Sequence, residues 1–426
     1  MTPAALPWPF VAGLLAASLL LLLALTARWV PPVRWPRTSP ADVDLDFAPH
    51  EQARERAFRR RVRPWGLAGT ALGVVVPTVL LLAGAVRSAA DVDGPWWVQV
   101  LAVTTLVLVA GRLLTLPGAV VVRRRSLEVG LAAGTWARWW RDVAVASLLG
   151  WAITGAAMLG WVAVVRVLPS AWWWVLALAS AALVVLMSFV LPVLVEPLFA
   201  RFEPLADGPL RDRLLGLAAH AGVPVRDVLV ADASRRTTAL NAYVSGLGPT
   251  RRIVVHDTLV QRGADDETAA VLAHELGHVV HRDVAVGTFL GAVGAGAGVL
   301  AAALALTWVP LLELVGVAGP ADPAAAGLLL AGGAWIGLLT APVQNAVSRR
   351  VERRADVYGL DLARDPVTVA AMHRSLAVVN LAPLRPVPLL HWWFGTHPTS
   401  PERIAYARRW ARGQGLPEIE GLAPPR

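Results

Sequence analysis

Long apolar runs set the pattern of this chain. Uncharged or nearly uncharged stretches occupy residues 8–27, 65–86, 95–122, 143–165, 167–195, 284–312 and 323–347. Each is long enough to cross the hydrocarbon core of a bilayer as a helix, which predicts seven spans. The first has no basic segment before it and is long for the apolar core of a cleaved leader, so it reads as an uncleaved anchor. Between the fifth and sixth runs the pattern changes. Residues 210–221 have the spacing of an amphipathic helix, and 227–231, 239–248 and 251–256 read as short strands separated by turn residues. So small a sheet offers an edge strand, which can hold an extended peptide by main-chain hydrogen bonds. The expected fold class is an all-α integral membrane protein of about seven transmembrane helices with a small cytoplasmic α+β module. Its expected parts are a five-span region (1–195), the module (196–283), a two-span hairpin (284–347) and a C-terminal region (348–426).

Charge orients this arrangement. Arg28, Arg34, Arg37, Arg54, Arg56, Arg59, Arg60, Arg61 and Arg63 follow the first span, and Arg123, Arg124, Arg125, Arg138 and Arg141 follow the third. The loops after spans two, four and six hold only Arg87 and Arg166 as basic residues. By the positive-inside rule the N-terminus is outside, and 196–283 and 348–426 are cytoplasmic. Composition agrees with an integral membrane protein, expected in the plasma membrane: 56% hydrophobic residues, 16% charged, 19 Trp and a mean hydropathy of +0.55. Lysine is absent and all 39 basic residues are Arg, which points to a GC-rich bacterial source. The net charge of +9 sits in loops beside apolar runs, so it reports topology and not nucleic-acid binding. Arg112 alone interrupts the third run. It either snorkels to the interface or faces an internal cavity or partner.

The module ends in the chain's most informative stretch, His274-Glu275-x-x-His278. Residues four apart share a helix face, so both imidazoles can reach one ion, while Glu275 beside them can take a proton from an attacking water. The flanks Val271, Leu272, Ala273, Leu276, Val279 and Val280 are apolar, so the helix is buried, and burying this polar set without a partner would be costly. With no cysteine in the chain, a metal must be held by His and carboxylate, and a His-His-carboxylate set favours zinc, one per chain. Two histidines leave the site one protein ligand short. Spans six and seven return the chain to the same side and deliver Glu352 and Asp356, four apart on one helix face. One of these carboxylates can bind the ion while the other orients a ligand histidine.

The stretch 195–406 resembles the type 1 CAAX prenyl protease family, seven-span zinc metalloproteases of membranes. Glu196-Pro-Leu-Phe199, Asn241-Ala-Tyr-x-x-Gly246, His274-Glu-Leu-Gly-His278, Asn345-x-x-Ser-Arg349-x-x-Glu352-x-x-Ala-Asp356, Asn380-Leu381 and His397-Pro398 with Arg403-Ile404 carry the resemblance. A weaker echo lies at Gly130-Leu131, Thr135 to Trp139 and Asp142. The resemblance implies zinc on His274, His278 and Glu352, with Glu275 as base and Asp356 behind a ligand. It further implies Asn241 on the substrate backbone and His397, helped by Arg403, at the oxyanion. Peptide or protein substrates, lipidated ones among them, and the bilayer are the implied partners. Two other functions fit parts of the pattern. A membrane quality-control protease resembling HtpX shares the metal chemistry but usually has fewer spans. A catalytically silent zinc scaffold would not need Glu275. His50, His220, His256, His281, His373 and His391 have no motif partners.

Overall fold

The computed structural model describes residues 6–33, 35–36, 38–246, 248 and 251–424. Arg34 and Arg37 of the first loop, and Leu247 of the expected strand 239–248, lie outside them. The membrane region is built from α1 (Trp8–Trp29), α2 (Pro40–Asp46), α3 (Pro49–Leu82), α4 (Ala85–Ala90), α5 (Trp96–Glu128), α6 (Trp136–Val167) and α7 (Trp172–Val190). Hydropathy located these spans but not all their ends. The run expected at 65–86 breaks after Leu82, where Gly84 takes a φ of +78°, because apolar residues continue through the turn into α4. At the other end α3 starts at Pro49, so the basic run Arg59–Arg63, expected in a polar segment, is helical. The run expected from 167 begins instead at Trp172, since 168–171 form the turn between α6 and α7.

The module follows: α8 (Glu196–Phe199), β1 (Phe202–Pro204), α9 (Pro209–His220), β2 (Asp227–Ala231), β3 (Ala242–Ser245), β4 (Arg252–His256), α10 (Asp257–Arg262) and α11 (Asp265–Val280). Strand β1 was not expected, being three residues long and ending in proline. The sheet order is β1-β2-β4-β3, with β2 parallel to β4 and the other pairs antiparallel. Ile253, Val254 and Val255 are buried, as a central strand requires, and β3 is left on an edge, as expected. Leu272 and Leu276 of α11 share the core with Leu214 of α9 and Ile253 of β4.

Beyond α11 come α12 (Asp283–Ala305), α13 (Val309–Val315), α14 (Ala325–Ala363), α15 (Pro366–Val379), α16 (Pro388–Phe394) and α17 (Ser400–Gly413). The sixth run, expected to 312, turns at residues 306–308 before α13, which starts with a proline in its first turn. The seventh span does not stop at 347. Helix α14 continues unbroken past the expected domain boundary and carries Glu352 and Asp356 on its far end. Seven helices among the described residues are long and apolar enough to cross a membrane: α1, α3, α5, α6, α7, α12 and α14. The expected fold class, a helical membrane bundle with a small α+β module, is the one found.

Candidate metal centre

Two helices that nearly touch create the site. A Cβ on Gly277 of α11 would come within 3.0 Å of Ala355 Cα on α14, and one on Gly359 within 3.2 Å of the His274 backbone nitrogen. A side chain at either position would press the helices apart, and their close approach sets the acids of α14 opposite the histidines of α11. His274 Nε2 and His278 Nε2 are 3.2 Å apart. Glu352 presents Oε2 3.4 Å from His274 Nε2 and Oε1 3.6 Å from His278 Nε2. Ligand atoms on a tetrahedron with zinc bonds of about 2.0–2.1 Å lie about 3.3 Å apart, so this donor set fits that ion. His274, Glu275 and His278 also offer ligand atoms that lie within 4.8 Å of one another, close enough to hold an ion. Glu352 faces both imidazoles, and Glu275 lies beside them.

The surroundings orient each ligand. Asp356, 4% exposed, brings Oδ1 within 2.9 Å of His274 Nδ1. Burial works to lower the His274 pKa, but Asp356 and Glu352 outweigh it and hold the imidazole up at about 10. That excess negative charge is what a divalent cation would balance. Burial also pushes the Glu275 carboxyl above its ordinary value, against the pull of His274 and His278. Arg403 donates from Nη2 to Glu352 Oε2 at 2.7 Å and from Nη1 to Asp356 Oδ1 at 3.1 Å. With both ends engaged it holds the two carboxylates, and it lines the same cavity as His397, the residue it was expected to help at the oxyanion.

A cavity of about 710 Å³ brings together Asn241, His274, Glu275, His278, Glu352 and His397, with Arg403 in its wall and Asp356 behind. His397 Nε2 stands 3.4 Å from Glu352 Oε1 and its side chain is 60% exposed, facing the opening. Its loop is tied to α14: Arg349 donates to the carbonyls of His391 and Gly395, and Asn345 to that of Trp393. Asn380 accepts from Leu240 N at 3.0 Å and donates to its carbonyl at 3.3 Å, fixing the chain one residue before Asn241 and edge strand β3.

Four contributors were not read from the sequence. Asp283 Oδ2 lies 2.9 Å from His278 Nδ1. Arg354 bonds Asp283 and donates to the Trp29 carbonyl at 2.6 Å, so the end of α1 is joined to the metal site. His373, set aside as unpartnered, is buried with Nε2 3.6 Å from Asp356 Oδ1, and His391 lines the cavity. An acid five residues past His278 was the available signal for Asp283. The structure also settles Arg112: it lines a cavity of about 470 Å³ between α3, α5, α6 and α14.

An HExxH helix facing an acid on a membrane span defines a membrane metallopeptidase. Peptidase family M48 matches residues 204–411, and the CAAX prenyl protease N-terminal family, described by five membrane helices, matches 66–201. An uncharacterized metalloprotease of Bacillus subtilis, YhfN, is 30% identical over 70% of this chain and 70% of its own. CAAX prenyl protease 1 of Saccharomyces cerevisiae is 36% identical over 33% of this chain and 31% of its own. The crystal structure of S. mikatae Ste24p superposes with a TM-score of 0.77 over 95% of this chain and 100% of that one, at 21% identity, which establishes a shared fold. The chain belongs to the M48 zinc metallopeptidases, in the group of the type 1 CAAX prenyl proteases.

Proposed function

We propose that this protein hydrolyses peptide bonds near the C-terminus of peptide or lipidated substrates, with zinc held by His274, His278 and Glu352. The observation that carries the reading is the 3.2, 3.4 and 3.6 Å spacing of the three ligands' atoms, with Glu275 unengaged beside them. Zinc at this site would supply Lewis acidity to the scissile carbonyl and to an attacking water. The substrate backbone lies along β3, where Asn241 engages it, and its scissile bond sits between Glu275 and His397. Glu275 takes the proton of the attacking water and passes it to the leaving amine, a role its raised basicity suits. His397 donates to the oxygen that becomes negative as the carbonyl turns tetrahedral. Arg403 and Asp356 keep Glu352 and His274 aimed. C-terminal specificity is drawn from the yeast relative, a CAAX prenyl protease, and the arginine bias of the loops supports a site on the cytoplasmic side of the membrane.

The test compares the purified chain with Glu275→Gln in detergent, on a short farnesylated C-terminal peptide and on an unfolded membrane protein. We expect peptide cleavage by the native chain, none by the variant, and equal zinc content in both. Cleavage of the unfolded protein alone would replace C-terminal processing with quality control. Full zinc occupancy with no cleavage of either would point to a scaffold.

A further inference from the structure

A second polar cavity, of about 640 Å³, lies where the start of α6 meets the α8 segment and the loop after β2. It shares no residue with the cavity around His274. Arg138, Arg141, Arg201, Arg235 and Arg236 line it. Two acids answer them: Asp232 pairs with Arg235 at 2.7 Å, and Asp142 takes Arg236 at 2.8 and 3.2 Å and Arg141 at 3.4 Å. Five guanidiniums against two carboxylates leave three positive charges uncompensated. Arg138 donates only to the Arg235 carbonyl, and the Arg201 side chain has no acid partner among the described residues. Thr135 caps α6 here, so the positive end of that helix adds to the field.

Depth narrows the ligand class. The same helix start carries Trp136, Trp139 and Trp140, packed edge to face with centroids 5.5 and 4.8 Å apart. Tryptophans at a span end mark the headgroup level. Leu198 and Phe199 give the cavity an apolar wall beside its arginines. A basic pocket at headgroup depth with one apolar side suits a phosphodiester that carries acyl chains. We propose that this cleft binds the headgroup phosphate of an anionic phospholipid. Its floor is already fixed: Ala132 bridges Thr237, and a Cβ on Gly134 would collide with the Arg235 carbonyl. The lipid therefore joins the membrane bundle to the module at a preformed seat.

Native mass spectrometry of the full chain in detergent tests this, with phosphatidylglycerol, phosphatidylcholine and inorganic phosphate added separately. We expect a retained phosphatidylglycerol adduct, no retained phosphatidylcholine, and a loss of affinity on the order of fivefold for each arginine removed in Arg138→Gln and Arg201→Gln. Arg124→Gln removes the same charge from a side chain that is 74% exposed outside the cleft, and should leave the adduct intact. Equal retention of both lipids, or an equal loss in Arg124→Gln, would overturn the site in favour of diffuse charge. Inorganic phosphate retained in preference to the lipid, or displacement of the lipid by an acidic peptide, would overturn the lipid as its occupant. Arg201 is exposed, so Arg201→Gln alone decides the matter if the variant at Arg138 does not fold.

Discussion

Asp283 hydrogen-bonds the far nitrogen of His278 although it belongs to the next helix. The 2.9 Å contact depends on the turn between α11 and α12, where Arg282 adopts a left-handed φ of 56° and starts α12 with Asp283 pointing back. Removing it as Asp283→Ala should weaken zinc binding by about 10–100-fold. Competition with a chelator on the full chain measures this directly, and an affinity equal to the native one would show that the contact does not orient His278.

Gly277→Ala tests the helix contact on which the site is built. Alanine favours a helix by about 1 kcal/mol over glycine, but its Cβ would lie 3.0–3.3 Å from three atoms of Ala355. The expected result is a lower thermal midpoint and weaker zinc binding, because α14 must move away with Glu352. A raised midpoint would mean that the gap between the helices is larger than described.

Asn380→Ala should act on substrate binding. It frees the backbone at Leu240, ahead of Asn241 and β3, at a cost of about 1–2 kcal/mol. KM should rise several-fold with zinc content unchanged. A fall in kcat at constant KM would place Asn380 in the chemistry instead.

His373 gives the chain a pH-dependent stability. Burial pushes its pKa down to about 3, from an ordinary value of 6.5. The folded form keeps the ring neutral, whereas the unfolded chain binds a proton below pH 6.5. Its contribution is therefore complete above pH 6.5 and declines as pH falls toward 3, by up to about 1.4 kcal/mol per pH unit. Thermal midpoints of the zinc-free protein at pH 7 and pH 5 should fall less in His373→Gln than in the native chain. Equal slopes would show that His373 does not set this dependence.

The spans and the HExxH helix were legible because each leaves a local signature, an apolar run or a five-residue pattern. Helix ends were less legible where apolar residues run through a turn, as at Gly84 and after Ala305. The groups that aim the ligands were hidden for another reason. Arg354 meets Asp283 across 71 positions, and His373 meets Asp356 from a separate helix, so their partners exist only in space. Arg403 was found by resemblance, but its two carboxylate partners were not, because motif spacing does not say which groups a guanidinium faces.

Helix α14 runs without a break from the intramembrane cavity at Leu330 to the acids at Glu352 and Asp356. Its 39 residues form a rod about 58 Å long, close to twice the thickness of a hydrocarbon core. One backbone therefore carries both the membrane-spanning half and the two acids, with Pro342 between them.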